Sequence, residues 1–323
     1  MLTAYVPDNG CLRAVNDPAA HRDEIVWADL LAPTDEERHT VEAWLGIEFP
    51  SREEMEEIEL SSRLYAENGV HYMTATLPAK SDDDSPEMGP VTFILAGNRL
   101  LTLRFHTPYA FETFPEIACK TPIGSDTGQS VLIGLLEVIV DRIADILERA
   151  SRDILDLSIK IFHTRDRKAS TRDTKFHAIL HQLGRKEHLL SNVQESLLTL
   201  RRLSAYLSTL QLSAREVDLT ARVRVLSRDI MSLSDHAISK SQKINFLLDA
   251  TLGMINIEQN AIIKIFSVAA VVFLPPTLVA SMYGMNFELM PELHWKFGYL
   301  WAIGLMVVSA LLPYLYFKRR GWL

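Results

Sequence analysis

The chain has 323 residues, 48% of them hydrophobic and 23% charged, with a formal net charge of −8 and two cysteines. That length exceeds one ordinary soluble core and leaves room for two structural units. The acidic balance argues against nucleic acid as a partner. Cys11 and Cys119 are too few for a disulfide framework or a cysteine-based zinc site, and both are expected as reduced thiols.

In chain order, the N-terminal Met1-Leu2-Thr3-Ala4-Tyr5-Val6 lacks a basic segment followed by an apolar run, so it does not read as a signal peptide. Pro33-Thr34-Asp35-Glu36-Glu37 opens a helix with a capping residue and an acidic first turn, and Gly46 closes it. Val70–Leu77, Pro90–Leu95 and Arg99–Phe105 read as strands, the last two joined by an Ala96-Gly97-Asn98 turn. Residues 1–125 are therefore expected to form an α/β domain, with a strand order that the pattern does not give. From about Gln129 the character changes. Proline is absent from Ile123 to Phe273, and apolar residues recur at helical spacing. The expected helices run from about Gln129 to His163, from about Asp173 to Thr209, and from about Ala214 into the apolar C-terminal region. Residues 126–262 are thus long helices including a stalk. Continued to Tyr283, the last helix has roughly 70 residues, or about 100 Å at 1.5 Å per residue, too long for a globular core.

Two uncharged runs follow, 23 residues from Ile265 to Phe287 and 21 from Phe297 to Phe317, with nine residues between them. Each exceeds the roughly 18 to 20 apolar residues that cross a hydrocarbon layer about 30 Å thick. Residues 263–323 therefore read as a transmembrane hairpin, with spans at about 263–284 and 297–317 and a basic tail. Lys318, Arg319 and Arg320 follow the second span, and Lys243 and Lys264 precede or open the first. The connecting loop carries Glu288, Glu292 and His294, with Lys296 as its firm positive charge. The positive-inside rule puts both termini in the cytosol.

The first span also carries a stripe. Asn256, Asn260, Ile263, Ser267, Ala270, Leu274, Thr277 and Ser281 recur, after the first step, at alternating intervals of three and four, which keeps one face toward an axis. Small and hydroxyl residues on one face allow close helix packing in lipid. They equally suit a pore wall, which one helix cannot enclose, so that reading needs several subunits around an axis. Pro275-Pro276 frees backbone carbonyls inside the span, tolerable where neighbours or pore water satisfy them.

At the outer end of this span stands Tyr283-Gly284-Met285-Asn286-Phe287. A Gly-Met-Asn tripeptide closing the first of two C-terminal spans resembles the signature of the CorA family of magnesium channels. Phe273-Leu274-Pro275-Pro276-Thr277-Leu278, Phe287–Leu293, the basic tail from Phe317 and, upstream, Trp27-Ala28-Asp29-Leu30 and Pro33-Thr34 also resemble that family. The resemblance implies an α+β cytosolic domain, long helices and a transmembrane hairpin, assembled as a funnel-shaped homopentamer in the inner membrane. The first span would line the pore and the second face lipid. Mg²⁺ would be both cargo and regulatory ligand, with no organic cofactor and no enzymatic step. Partners would be the same chain, the bilayer and divalent cations.

The resemblance assigns the filter to Gly284, Met285 and Asn286. Mg²⁺ keeps its waters in a strict octahedron and loses them reluctantly. A ring of Asn286 amide oxygens would accept hydrogen bonds from those waters and still release the ion. Gly284 would permit a turn that aims carbonyls at the mouth. Glu288 and Glu292 would concentrate cations at the entrance, or be solvated loop acids. Leu274, Ile263 and Phe266 suit an apolar gate, which blocks ions by dewetting, and Asn260 an inner polar ring. The family's acidic stalk site falls at Asp229, with Asp82, Asp83 and Asp84 as its N-terminal partner.

Three further features carry less. Glu137, Asp141, Asp145 and Glu148 share a helix face that reads as solvated surface or, alternatively, as the sensor. His177 and His181 lie at i and i+4, but Ala178 stands where a zinc protease helix carries glutamate. No Walker loop, dinucleotide fingerprint or nucleophile elbow occurs, so transport would be passive and potential-driven. The alternatives are a Co²⁺, Ni²⁺ or Zn²⁺ transporter of the same family, a non-conducting membrane-anchored sensor, or a membrane-anchored enzyme.

Overall fold

The computed structural model describes residues 1–15, 17–80, 86–120, 125–162, 170–210, 217–285 and 295–321. Backbone contacts divide the chain into two units, Met1–Arg165 with His177–Leu248, and Asp166–Phe176 with Asp249–Leu323.

The first unit opens with the strands β1 (Leu2–Asp8), β2 (Cys11–Val15) and β3 (Trp27–Leu31). The helices α1 (Asp35–Leu45), α2 (Arg52–Glu56) and α3 (Leu60–Arg63) follow. Four more strands, β4 (Leu64–Glu67), β5 (Val70–Ala79), β6 (Glu87–Ala96) and β7 (Arg99–Arg104), lead to α4 (Tyr109–Lys120). The seven strands form one sheet in the order β2-β1-β3-β7-β6-β5-β4, antiparallel except for the central β3–β7 pair. Tight turns explain the two outer hairpins. Asn9-Gly10 and Asn68-Gly69 all have positive φ, as a two-residue turn requires when its twist matches the strands it joins.

Alternation then sorts the two faces. Ala28, Leu30, Leu101 and Leu103 point into a core with Val41, Phe49 and Met55 from α1, α2 and the link between them. Helix α1 is held at both ends. Thr34 and Glu37 form a reciprocal capping box, and Gly46 closes the last turn at φ 66°. On the opposite face, Trp27 packs edge-on to Phe114 of α4 at 5.8 Å. A polar chain is buried there too. The Trp27 indole donates to Thr102 at 3.0 Å, Thr102 donates to Asp29 at 2.7 Å, and Arg104 donates to both Asp29 oxygens, the shortest bond being 2.8 Å. Burying a charge is costly unless it is paired and hydrogen-bonded, and this pair is both.

Cys11 and Cys119 correct an expectation. They are not two separate thiols but a facing pair placed to join as a disulfide, with Cα atoms 4.3 Å apart. The sheet and α4 bring together residues 108 positions apart.

Three long helices complete this unit: α5 (Gly128–Phe162), α6 (Ser170–Thr209) and α7 (Val217–Tyr283); the first residues of α6 and the last part of α7 are assigned to the second unit. Helix α5 starts against β7. The Gly128 amide donates to Asn98 at 2.8 Å, and a Cβ at Gly128 would meet backbone atoms of Arg99 and Leu100 at 2.4 Å, so only glycine fits. Helices α5 and α7 run parallel at a near-constant offset of 85 positions. Arg222 donates to Glu137 at 2.7 Å, His236 meets Ser151 at 3.2 Å, and Phe246 stacks on Phe162. Helix α6 runs antiparallel to both, through Lys186–Asp153 at 2.7 Å and Ser241–Glu187 at 3.1 Å. Sheet and bundle are joined where the Thr76 amide donates to Thr199 at 3.1 Å and His71 bonds Tyr206 at 3.0 Å.

In the second unit the end of α7 stands with α8 (Gly298–Arg319). The 18-residue apolar windows of both are only 6% buried, which separates them from core helices of a soluble fold. The Lys264 ammonium donates to the Gly321 carbonyl at 3.2 Å, so the basic flanks of the two helices lie at one end of the hairpin.

Candidate functional site

The candidate site is the apolar part of α7 and its C-terminal end. One side of this segment turns toward the rest of its unit. Lys264, Val268, Val272, Pro275, Pro276, Val279 and Tyr283 are partly or fully buried, Val268 most at 4% exposed. Their spacing of three and four makes them one helical face. The stripe identified from sequence lies on the other side. Asn256, Asn260, Ile263, Ser267, Ala270, Leu274, Thr277 and Ser281 are all exposed, Leu274 at 66%, and so is the gate candidate Phe266. A 67-residue helix with this division presents small, hydroxyl and large apolar groups to whatever lies beyond its own chain.

Pro275 and Pro276 sit inside α7 and carry no amide hydrogens, so the carbonyls of Val271 and Val272 lose their ordinary intrahelical donors. Thr277 instead turns its hydroxyl inward, donating to the Phe273 carbonyl at 2.8 Å. Its oxygen still keeps acceptor capacity toward the exposed side.

The helix terminates at Tyr283. The Gly284 amide donates to Ala280 at 2.9 Å and the Met285 amide to Met282 at 3.3 Å. Gly284 does not use the left-handed backbone region expected of a turn glycine. Its requirement is space: an added Cβ would stand 3.2 Å from the Ala280 carbonyl oxygen. Asn286, Glu288 and Glu292 lie outside the described residues, as do Asp82, Asp83 and Asp84.

Asp229 is described, and its surroundings join two expectations that the sequence left separate. It lies on the exposed side of α7, near the acidic face of α5. The Asp141 carboxyl is raised above its ordinary value, first by burial and then by Glu137, Asp145 and Asp229. Glu137 is held by Arg222, so the face is not simply solvated. Sequence spacing showed the α5 carboxylates; only the parallel α5–α7 register adds Asp229. Among the described residues no three His, Cys, Asp or Glu side chains converge as a metal-holding group, and His177 and His181 are exposed on α6.

A mixed sheet domain, three long helices and a C-terminal pair of membrane-length helices define a two-span membrane protein, with polar residues along one exposed side of its first span. The sequence model of the family described as CorA-like Mg²⁺ transporter protein matches residues 22–319. The chain is 37% identical to the magnesium transport protein CorA of Haemophilus influenzae over 325 residues, covering all of both chains. It is 40% identical to that of Sodalis glossinidius over 328 residues, again covering both completely. The fold matches the complete structure of the CorA magnesium transporter from Methanocaldococcus jannaschii with a TM-score of 0.80, at 20% identity, over 100% of this chain and 99% of that one. The chain belongs to the CorA family.

Proposed function

We propose that this chain is one subunit of a passive Mg²⁺ influx channel of the inner membrane, with both termini in the cytosol. The observation that carries the reading is the stripe from Asn260 to Ser281, which faces away from the rest of its own unit and leads to Gly284-Met285-Asn286. A single-subunit anchor has no use for hydroxyl and amide groups on its free side, whereas copies arranged around an axis would turn that side to water. The relatives at 37 to 40% identity are named as magnesium transport proteins, which supports Mg²⁺ as cargo. The homopentamer stays an expectation of family membership. In domain terms, residues 1–125 and 126–262 would form the cytosolic body and 263–323 the channel.

Selection would rest on amide oxygens at Asn286 that bind the waters of a hydrated divalent ion, not the bare ion. Narrow apolar rings at Leu274 and toward Ile263 and Phe266 would close by dewetting. An inward divalent ion gains about 4.6 kcal/mol per 100 mV, twice the single-charge value, so no nucleotide hydrolysis is needed. Closure at high internal Mg²⁺ would act where Asp229 meets the acidic face of α5. A bound cation would relieve the carboxylate repulsion that adds to burial in raising Asp141, linking occupancy to conformation.

The test is reconstitution into liposomes under an inside-negative potential. Potential-dependent Mg²⁺ entry that falls as internal Mg²⁺ rises is expected. Entry of Co²⁺, Ni²⁺ or Zn²⁺ in strong preference would move the assignment to a different metal, and absence of flux for all four would make the chain a sensor.

A further inference from the structure

We infer that Cys11 and Cys119 form a redox site, a dithiol that exchanges reversibly with a low-molecular-weight disulfide of the glutathione class. The inference rests on the proposed orientation, which puts this unit in the cytosol. In an oxidising compartment the same pair would be an ordinary structural disulfide.

The chain has two cysteines in 323 residues, and the fold brings both to one point. Cys11 opens β2, directly after the Asn9-Gly10 turn, and Cys119 is the penultimate residue of α4. With Cα atoms 4.3 Å apart, at the short limit of the separation a disulfide spans, the two side chains are within bonding reach of each other. Access is open. Cys119 is exposed and Cys11 half-buried, on a strand at the edge of the sheet. The unit does not depend on the bond for a core, because the sheet faces are already packed by α1 and α4. An exposed cysteine pair in a domain that folds around other contacts belongs to the labile class of disulfides.

The exchange balances. The Cys119 thiolate attacks one sulfur of the small disulfide, forming a mixed disulfide and releasing one small thiolate. The Cys11 thiolate then attacks the Cys119 sulfur and releases the second. Two protein thiols are oxidised to one disulfide, one small disulfide is reduced to two thiols, and the two protons pass to the released thiols. The new bond ties the β1–β2 hairpin to the end of α4. It closes a loop of 108 positions, which strongly restricts the unfolded chain.

The full-length protein in detergent is equilibrated with mixtures of reduced and oxidised glutathione, and remaining thiols are trapped with a mass-tagged maleimide. Both thiols should disappear together as the mixture becomes oxidising and return together when it is reversed. The oxidised protein should melt about 5 °C or more above the reduced protein. Cys11→Ser and Cys119→Ser should each stop at one mixed disulfide and lose that thermal shift. Two thiols that stay modifiable in the most oxidising mixture, or that carry two stable glutathione adducts, overturn the inference. Intact cells separate this result from the proposed orientation. Labelling of the pair by a membrane-impermeant maleimide overturns the orientation, and with it the reversible role, even where exchange succeeds in detergent.

Discussion

The two units use the same apolar residue types in opposite ways. In the first, Phe93, Leu101 and Leu103 are sealed between sheet and helices. In the second, Phe273 is 70% exposed and Leu274 66%. The sheet domain hides apolar surface because water surrounds it. The hairpin displays apolar surface because lipid, or another copy, surrounds it. Polar groups invert along with them. Asp29 and Arg104 are buried and mutually satisfied in the first unit, whereas Ser267, Thr277 and Ser281 are exposed in the second. Polar burial in the sheet domain therefore reports stability, and polar exposure on α7 is what the proposed passage would use.

The largest expected effect lies at the outer end of α7. Asn286→Ala removes the amide oxygen while leaving the buried side of α7 intact. Mg²⁺ uptake into liposomes should fall to background, with oligomer size and melting temperature unchanged. Near-normal uptake with the same ion preference would show that the outer polar end does not serve passage.

Next is the buried pair. Asp29→Ala leaves the Arg104 guanidinium inside the sheet domain without its carboxylate and deprives Thr102 of its acceptor. A loss of about 3–5 kcal/mol in stability is expected, as for other buried pairs that lose one partner. Denaturant unfolding of the full chain would measure it. A loss below about 1 kcal/mol would mean that water or a neighbour replaces the carboxylate.

A smaller change is expected from Leu274→Asn. If Leu274 belongs to an apolar constriction, an amide there should wet it and raise basal leak several-fold at high internal Mg²⁺. The substitution is on the exposed side of α7, so stability should change little. Unchanged leak together with reduced oligomer stability would make Leu274 a packing residue between copies.

Much of this contrast was legible from residue patterns, because it depends on local periodicity. The ends of α5 and α6 fall within a few residues of the expected ones, and Thr34, Glu37 and Gly46 bracket α1 as capping chemistry requires. Strands β1 to β4 went unread, although Asn9-Gly10 and Asn68-Gly69 are the dipeptides that mark two-residue hairpins. Strand order could not be read, since the central β3–β7 pair joins residues some 75 positions apart and no local signal encodes that meeting. The pairing of Cys11 with Cys119 is hidden for the same reason. For the site, the stripe and its tripeptide were legible as spacing. The approach of Asp229 to Asp141 was not, because it depends on the register of two helices that are separated in the chain by a third.

That register supplies the smallest prediction. The Asp141 carboxyl titrates above its unfolded value because burial and three carboxylates oppose its charge. Above both values the folded state bears a strained charge that the unfolded state does not. As the pH falls through the window between them, the folded state takes up its proton first, so stability rises with acidification. The sign is opposite to that of a carboxylate held by a cation. Asp141→Asn should therefore raise the melting temperature at neutral pH by about one degree, since Asp141 is exposed on its helix and solvent screens most of the repulsion. It should also flatten the dependence between the two titrations. If the same repulsion is what internal Mg²⁺ relieves, the stabilising effect of millimolar Mg²⁺ on the wild type should shrink in the variant. Full Mg²⁺ stabilisation in Asp141→Asn, together with its loss in Asp229→Ala, would confine the cation's action to α7 and leave the α5 face as surface.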